Sequence, residues 1–269
     1  MEAENGNSTQ ENTGMDASTE AENLDQKIMD QMELIRKEIE ESVPLLSHKE
    51  DIASLAKEYP PDDAIYQGKI RSLYSSYRWI RRTRRDGNCF YRAFGISLME
   101  MLKQNPDEYH RVYKVIEESK DRLIELGYQA FIIEDFHQTV LTLLKNVRKD
   151  DCTNDELVEW FNDRDLSNYF VVYFRLLTSA HLKTNAEFFE NFIDGYQSVK
   201  DFCSYEVEPI GKESDHIHAI ALTGFLNTAI EIVYLNHTDD DLSKHRFPEH
   251  SAPQFTLLYR PGHYDVLYK

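Results

Sequence analysis

Apolar residues recur at every third or fourth position along most of this chain, and only toward its end do they run together in short aromatic and β-branched stretches. The first pattern predicts helices and the second strands. Leu24, Ile28, Met32, Ile35 and Ile39 form a narrow apolar stripe with Asp, Glu, Lys and Arg between them, the pattern of an amphipathic helix with one face to bury. Ser47 and Glu50 have the spacing of a capping box and predict a helix to about Glu58, while Asp62 and Asp63 cap another that carries Ile65, Ile70 and Leu73. A further helix is expected directly after Cys89. Asn105-Pro106 opens a long helix that Gly127 ends, positions 132–147 are amphipathic, and Thr153 with Glu156 makes a second capping box. Positions 170–177 are almost wholly apolar and read as a buried central helix, although a strand shares that lack of periodicity. Strands are predicted at 230–235, 255–260 and 264–268. The fold class is therefore α+β: a helical lobe packed on a small mixed β-sheet.

Composition adds boundaries. At 269 residues and 41% hydrophobic, the chain can bury the core of one domain and still carry a tail. Residues 1–23 contain Glu2, Glu4, Glu11, Asp16, Glu20 and Glu22 with no Lys or Arg, and are rich in Asn, Ser and Thr; a disordered acidic tail is expected there. Residues 24–44 form an amphipathic arm and 45–269 the main domain. The formal net charge of -18 disfavours nucleic acid, which needs clustered basic surface, and suits basic protein partners or simple solubility. Cys89, Cys152 and Cys203 are an odd set without paired spacing, which argues against a secreted disulfide framework. With neither a membrane-length apolar run nor a secretory leader, the chain is expected in the cytoplasm, with the nucleus also open, as a monomer.

The candidate chemistry lies in two distant segments. Asp86-Gly87-Asn88-Cys89-Phe90-Tyr91-Arg92-Ala93-Phe94 sets a cysteine after a glycine turn and at a helix start, where unpaired amides and the helix dipole favour the thiolate. Arg78, Arg81, Arg82, Arg84 and Arg85 precede it and would add to that effect if they fold near the sulfur. Gly87 allows the loop amides from Asp86 to Cys89 to converge on a developing oxyanion. At the other end, Pro261-Gly262-His263-Tyr264-Asp265 begins a strand. Residues two apart on a strand share a face, so Asp265 can orient His263 as a general base for Cys89. A buried structural thiol and a surface strand would account for either segment alone; the pair favours catalysis.

Both segments closely resemble those of the otubains, a branch of the ovarian-tumour (OTU) family of deubiquitinating cysteine proteases. The stretches 133–137, 171–179 and 212–218 are similar to otubain sequence too, so the resemblance covers about residue 24 to the C-terminus. Asp265 points to the first otubain type, since the second carries asparagine there; Arg85 departs from the proline expected before Asp-Gly. The resemblance implies a papain-like fold and an isopeptidase in which Cys89 attacks, His263 transfers protons and Asp265 holds the imidazole. Asp86 is a candidate second acid, though shaping the oxyanion loop suits its position better. It also implies preference for chains joined through lysine forty-eight of ubiquitin, partnership with ubiquitin-conjugating enzymes, and no cofactor. The alternative function is a non-catalytic one, blocking charged conjugating enzymes; a papain-like peptidase acting on ordinary peptides is a third. By the same resemblance Phe192, Glu213, Asp215 and His216 face the ubiquitin whose C-terminus is cut, and Ile28, Met32 and Ile35 of the arm hold the leaving ubiquitin. From residue types alone, Phe192 could be core, Asp215 an N-cap, and the stripe packing on its own domain. His216 and His218 beside Asp215 lack the further ligands of a metal site, and none is expected.

Overall fold

Strands from both ends of the chain meet in one mixed sheet, with the order β1 (Leu46–Asp51), β2 (Trp79–Thr83), β6 (His263–Tyr268), β5 (Phe255–Arg260), β3 (Ile230–Tyr234), β4 (Ser243–Phe247). The structure is a computed structural model that describes residues 26–32, 34, 35, 38, 42–238 and 241–269. All neighbours pair antiparallel except β3 and β5, which are parallel. The last strand is thus interior, with β2 on one side and β5 on the other, and its first five residues are buried. Such a strand reads as apolar throughout. The polar residues that interrupt it, His263 and Asp265, are the ones that need explaining.

The helices follow the predicted pattern except the last, which the periodicity does not announce. They are α1 (Ala64–Tyr74), α2 (Cys89–Gln104), α3 (Pro106–Glu125), α4 (Ala130–Val147), α5 (Asn154–Asn162), α6 (Arg164–Thr184) and α7 (His216–Leu226). Asp63, Asn105 and Thr153 cap α1, α3 and α5 by accepting from backbone N–H groups, and Glu156 completes the capping box. The apolar stretch at 170–177 lies within α6, so it is helical, and it crosses the core between α2, α4, α5 and α7. Gly95 allows the α2–α6 approach: a Cβ there would lie 2.4 Å from the Phe170 ring.

The predicted helix at 47–58 is a correction. Residues Leu46–Asp51 are a strand, and only Ile52–Glu58 is helical, as a 3-10 turn capped by Asp51. The spacing that resembles a capping box serves β2 instead. The Ser47 hydroxyl accepts from the Arg82 N–H and the Glu50 carboxylate from the Arg82 side chain; pairing across the sheet outweighs the local cap. Strands β2 and β4 add to the predicted set. The pattern hides them because the consecutive Arg81 and Arg82 put a charge on each face of β2, and Lys244, His245 and Arg246 make β4 a polar strand at the sheet edge.

The chain forms two compact units, Met1–Pro44 and Leu45–Lys269. In the first, residues 26–32 are helical, and Ile28, Met32 and Ile35 are exposed. The expected disordered tail at 1–23, and Leu24 and Ile39 of the stripe, lie outside the described residues.

Candidate active site

Cys89 is the first residue of α2, and the turn before it is set by Gly87, whose φ of 75° belongs to the left-handed region. A Cβ at Gly87 would lie 1.9 Å from the Gly211 carbonyl oxygen, so no other residue is accommodated. Asp86 shapes the same turn. Its Oδ1 accepts from the Asn88 N–H at 3.0 Å, and Arg92, one turn into α2, binds its carboxylate. Those contacts face the loop and α2, so Asp86 acts as a loop former and not as a second acid on His263. Asn88 occupies the N-cap position but makes no side-chain cap, so its side chain takes none of the first amides of α2.

The thiol is 3% exposed and lies against the start of β6, where the Tyr264 amide, with that of Phe90, points at the sulfur. Burial pushes the thiol up to about 11, and the Asp86 and Asp265 carboxylates act the same way, outweighing the two amides. This reverses the expectation of a favoured thiolate. Three of the upstream arginines are engaged elsewhere: Arg81 binds Glu100 and Ser47, Arg82 binds Glu50 and Glu58, and Arg78 lies over the Trp79 ring. The cation that senses the sulfur is Arg175 of α6.

His263 and Asp265 share a face of β6, and Nε2 of the imidazole lies 2.9 Å from Asp265 Oδ1. The bond assigns the proton to Nε2 and leaves the lone pair on Nδ1, which is buried and has no hydrogen-bond partner among the described residues. Thiol and imidazole therefore flank one cleft without being bonded in this state. Asp265 is fully buried and unusually well held. It accepts from the Thr83 N–H at 3.0 Å and from Arg260 at 2.6 Å, with Arg82 3.6 Å away. Burial raises its pKa, yet the His263 bond and charge, Arg260 and the Thr83 amide together hold it at about 2. Glu58 in turn binds both Arg82 and Arg260. These supporting groups escape sequence reasoning, since nothing in their spacing marks them; the sheet order alone makes them neighbours.

Glu213, Asp215, His216 and Phe192 are the other candidate residues of the unit from Leu45 onward. The Glu213 carboxylate lies beside Gly262, at 3.2 Å from where a Cβ would stand. Asp215 is the N-cap of α7 and bonds the His216 N–H and ring, and the His216 Nε2 reaches the Tyr234 hydroxyl at 2.6 Å. His218 completes the capping box from N3, a use of its imidazole unrelated to metal. Phe192 is 63% exposed and pairs with Phe188, so it is not core. Cys152 and Cys203 are buried away from these groups, with bonds to the Thr153 and Ser179 carbonyls.

Comparisons with known proteins agree with one another. The family model Peptidase C65 Otubain matches residues 38–269. The chain is 48% identical over 246 residues to ubiquitin thioesterase OTUB1 of Homo sapiens, covering 91% of this chain and 90% of that protein. It is 41% identical over 248 residues to the ovarian tumor domain-containing deubiquitinating enzyme 1 of Arabidopsis thaliana, covering 84% and 81%. Among solved structures, a complex titled h/ceOTUB1-ubiquitin aldehyde-UBC13~Ub matches with a TM-score of 0.85 at 33% identity, over 91% of this chain and 98% of that one.

Proposed function

The chain belongs to the otubain family of C65 peptidases, and from that premise we propose that it is a deubiquitinating cysteine protease in which Cys89, His263 and Asp265 cut isopeptide bonds of polyubiquitin. The observation that carries this reading is the convergence of the α2 N-terminus and the start of β6: thiol, imidazole and buried carboxylate meet at one cleft although 173 residues lie between the first two.

The resting thiol holds its proton, so His263 must remove it as attack begins. The S–H proton passes to Nδ1 while the sulfur bonds the isopeptide carbonyl carbon and the carbonyl oxygen takes the electron pair. The Asn88 amide is occupied by Asp86, and the Asp86 amide by the Arg84 carbonyl at 3.1 Å. The oxyanion donors of this loop are therefore the Gly87 and Cys89 amides, each worth on the order of 3 kcal/mol in comparable sites. Collapse breaks the C–N bond, the imidazolium protonates the departing lysine amine, and water delivered through the same Nδ1 hydrolyses the thioester. Asp265 keeps Nε2 protonated throughout. A rotation of the imidazole or thiol closes the gap between Nδ1 and the sulfur when substrate binds.

Phe192, Glu213, Asp215 and His216 contact the ubiquitin that supplies the cleaved C-terminus, and Ile28, Met32 and Ile35 the leaving one, with chains through lysine forty-eight preferred. A second reading has a specific motive: the matched complex contains a conjugating enzyme charged with ubiquitin. In that role the chain binds charged conjugating enzymes and blocks chain synthesis without cutting. One variant separates the two. Cys89→Ser abolishes cleavage of di-ubiquitin and leaves suppression of chain synthesis intact; persistence of cleavage overturns the nucleophile.

A further inference from the structure

The Arg175 guanidinium lies midway along α6, wholly buried, and the four acceptors it reaches among the described residues are all neutral. They are the Gly87 carbonyl at 2.9 Å, Asn88 Oδ1 at 2.9 Å, the Val207 carbonyl at 2.9 Å and the Lys212 carbonyl at 2.6 Å. Its flat face covers the Tyr91 ring at 4.6 Å. Two of these acceptors belong to the nucleophile loop, and two bracket the segment that leads into Glu213 and His216. The Gly211 N–H closes the same junction by donating to Asn88 Oδ1 at 2.8 Å. A buried cation without an anionic partner is costly, and it is retained only where its bonds do something that apolar packing cannot.

Two consequences follow for the chemistry. The Gly87 carbonyl is turned toward Arg175, so the Gly87–Asn88 peptide cannot rotate its oxygen into the place an oxyanion must occupy. Asn88, one of the best N-capping residues, has its oxygen held by Arg175 and Gly211 instead of by the Phe90 or Tyr91 N–H, so its side chain fixes the loop that carries the Cys89 amide to the 207–212 segment and does not cap α2. We infer that Arg175 is a positioning residue for the oxyanion loop, acting through Asn88 Oδ1 and the Gly87 carbonyl, and that this clamp joins the loop to the 207–212 segment. The inference rests on the reading of Cys89 as nucleophile. Lysine cannot replace it, because a single ammonium nitrogen cannot stand both at Nη1, which serves the Val207 carbonyl, and at Nη2, which serves the other three acceptors.

The test compares Asn88→Ala, Asn88→Asp and Arg175→Lys in di-ubiquitin cleavage, with ubiquitin and ubiquitin aldehyde affinities measured for each. Asn88→Ala and Arg175→Lys lower kcat on the order of 10²-fold, the scale expected when reacting groups are misplaced by about 1 Å, with KM within about twofold. They weaken ubiquitin aldehyde, whose adduct oxygen occupies the oxyanion position, without weakening ubiquitin itself. Asn88→Asp keeps the acceptor and removes the side-chain donors, so it retains most of the activity. The affinity ratio is a property of folded molecules, so partial unfolding does not mimic the result. If Arg175→Lys does not fold, the Asn88 pair decides. An unchanged ratio in Asn88→Ala, or equal losses in both Asn88 variants, overturns the inference; cleavage by Cys89→Ser overturns instead the reading beneath it.

Discussion

Asp265 carries more than its role toward His263. Its carboxylate is the anion that balances Arg260 and part of Arg82 inside the sheet. Truncation to alanine leaves Arg260 with Glu58 alone and takes the acceptor from the buried Thr83 N–H, so Asp265→Ala should cost about 1–3 kcal/mol of stability as well as activity, read as a lower urea midpoint. Asparagine keeps an acceptor for Nε2 and should lose less of both. Because the folded-state pKa is depressed to about 2, the stabilisation is fully present above the ordinary carboxylate value near 3.8 and disappears as pH falls from there toward 2. A stability profile of Asp265→Asn should lack that acid limb. Cys89 has the opposite sign. Its thiol, pushed up to about 11, stays protonated at neutral pH, so alkylation of the substrate-free protein should rise about tenfold per pH unit from about pH 7 to 9, as for an unactivated thiol. A plateau already reached at neutral pH would reveal a preformed thiolate–imidazolium pair.

At the scale of elements, the site is an arrangement of ends. The N-terminus of α2 brings amides, the N-terminal end of β6 brings His263, and β2 and the 3-10 turn bring the charges that hold Asp265. Glycine sets two of the close approaches. Gly87→Ala adds a methyl at 1.9 Å from the Gly211 oxygen in a left-handed backbone, so the loop must move; cleavage should fall at least about tenfold with far-ultraviolet circular dichroism unchanged. Gly95→Ala gains helix propensity worth about 1 kcal/mol. Its methyl meets the rings of Phe161 and Phe170, and overpacking of that kind costs about 1–3 kcal/mol, so a net loss in thermal midpoint is expected.

For the whole molecule, the division that matters is between the unit from Leu45 onward, which holds every group of the catalytic cleft, and the arm ahead of it. Removal of residues 1–40 should therefore leave hydrolysis of a ubiquitin C-terminal fluorogenic amide unchanged while reducing the preference among di-ubiquitin linkages; unchanged preference would remove the arm from substrate selection. Helix existence is legible for most of the helices, because most carry a periodic stripe and several their own cap, as at Asp63, Asn105 and Thr153. The strands are legible only where apolar runs mark buried positions. Strand β1 is disguised because Ser47 and Glu50 have a helix-capping spacing whose partner, Arg82, lies 32 residues beyond Glu50.

Cys89, His263 and Asp265 are readable from the chain because their chemistry depends on local features: a glycine turn before a helix, and the two-residue period of a strand. Their electrostatic state is not. Whether the thiol is charged depends on how deeply α2 is buried and on which of the nearby arginines folds against it, and those are properties of packing between distant segments. Arg175 and Arg260 show the same limit. A guanidinium in a sequence is an ordinary surface charge until the fold encloses it, and its partners at Gly87, Lys212, Glu58 and Asp265 are set by long-range contacts that no spacing along the chain encodes.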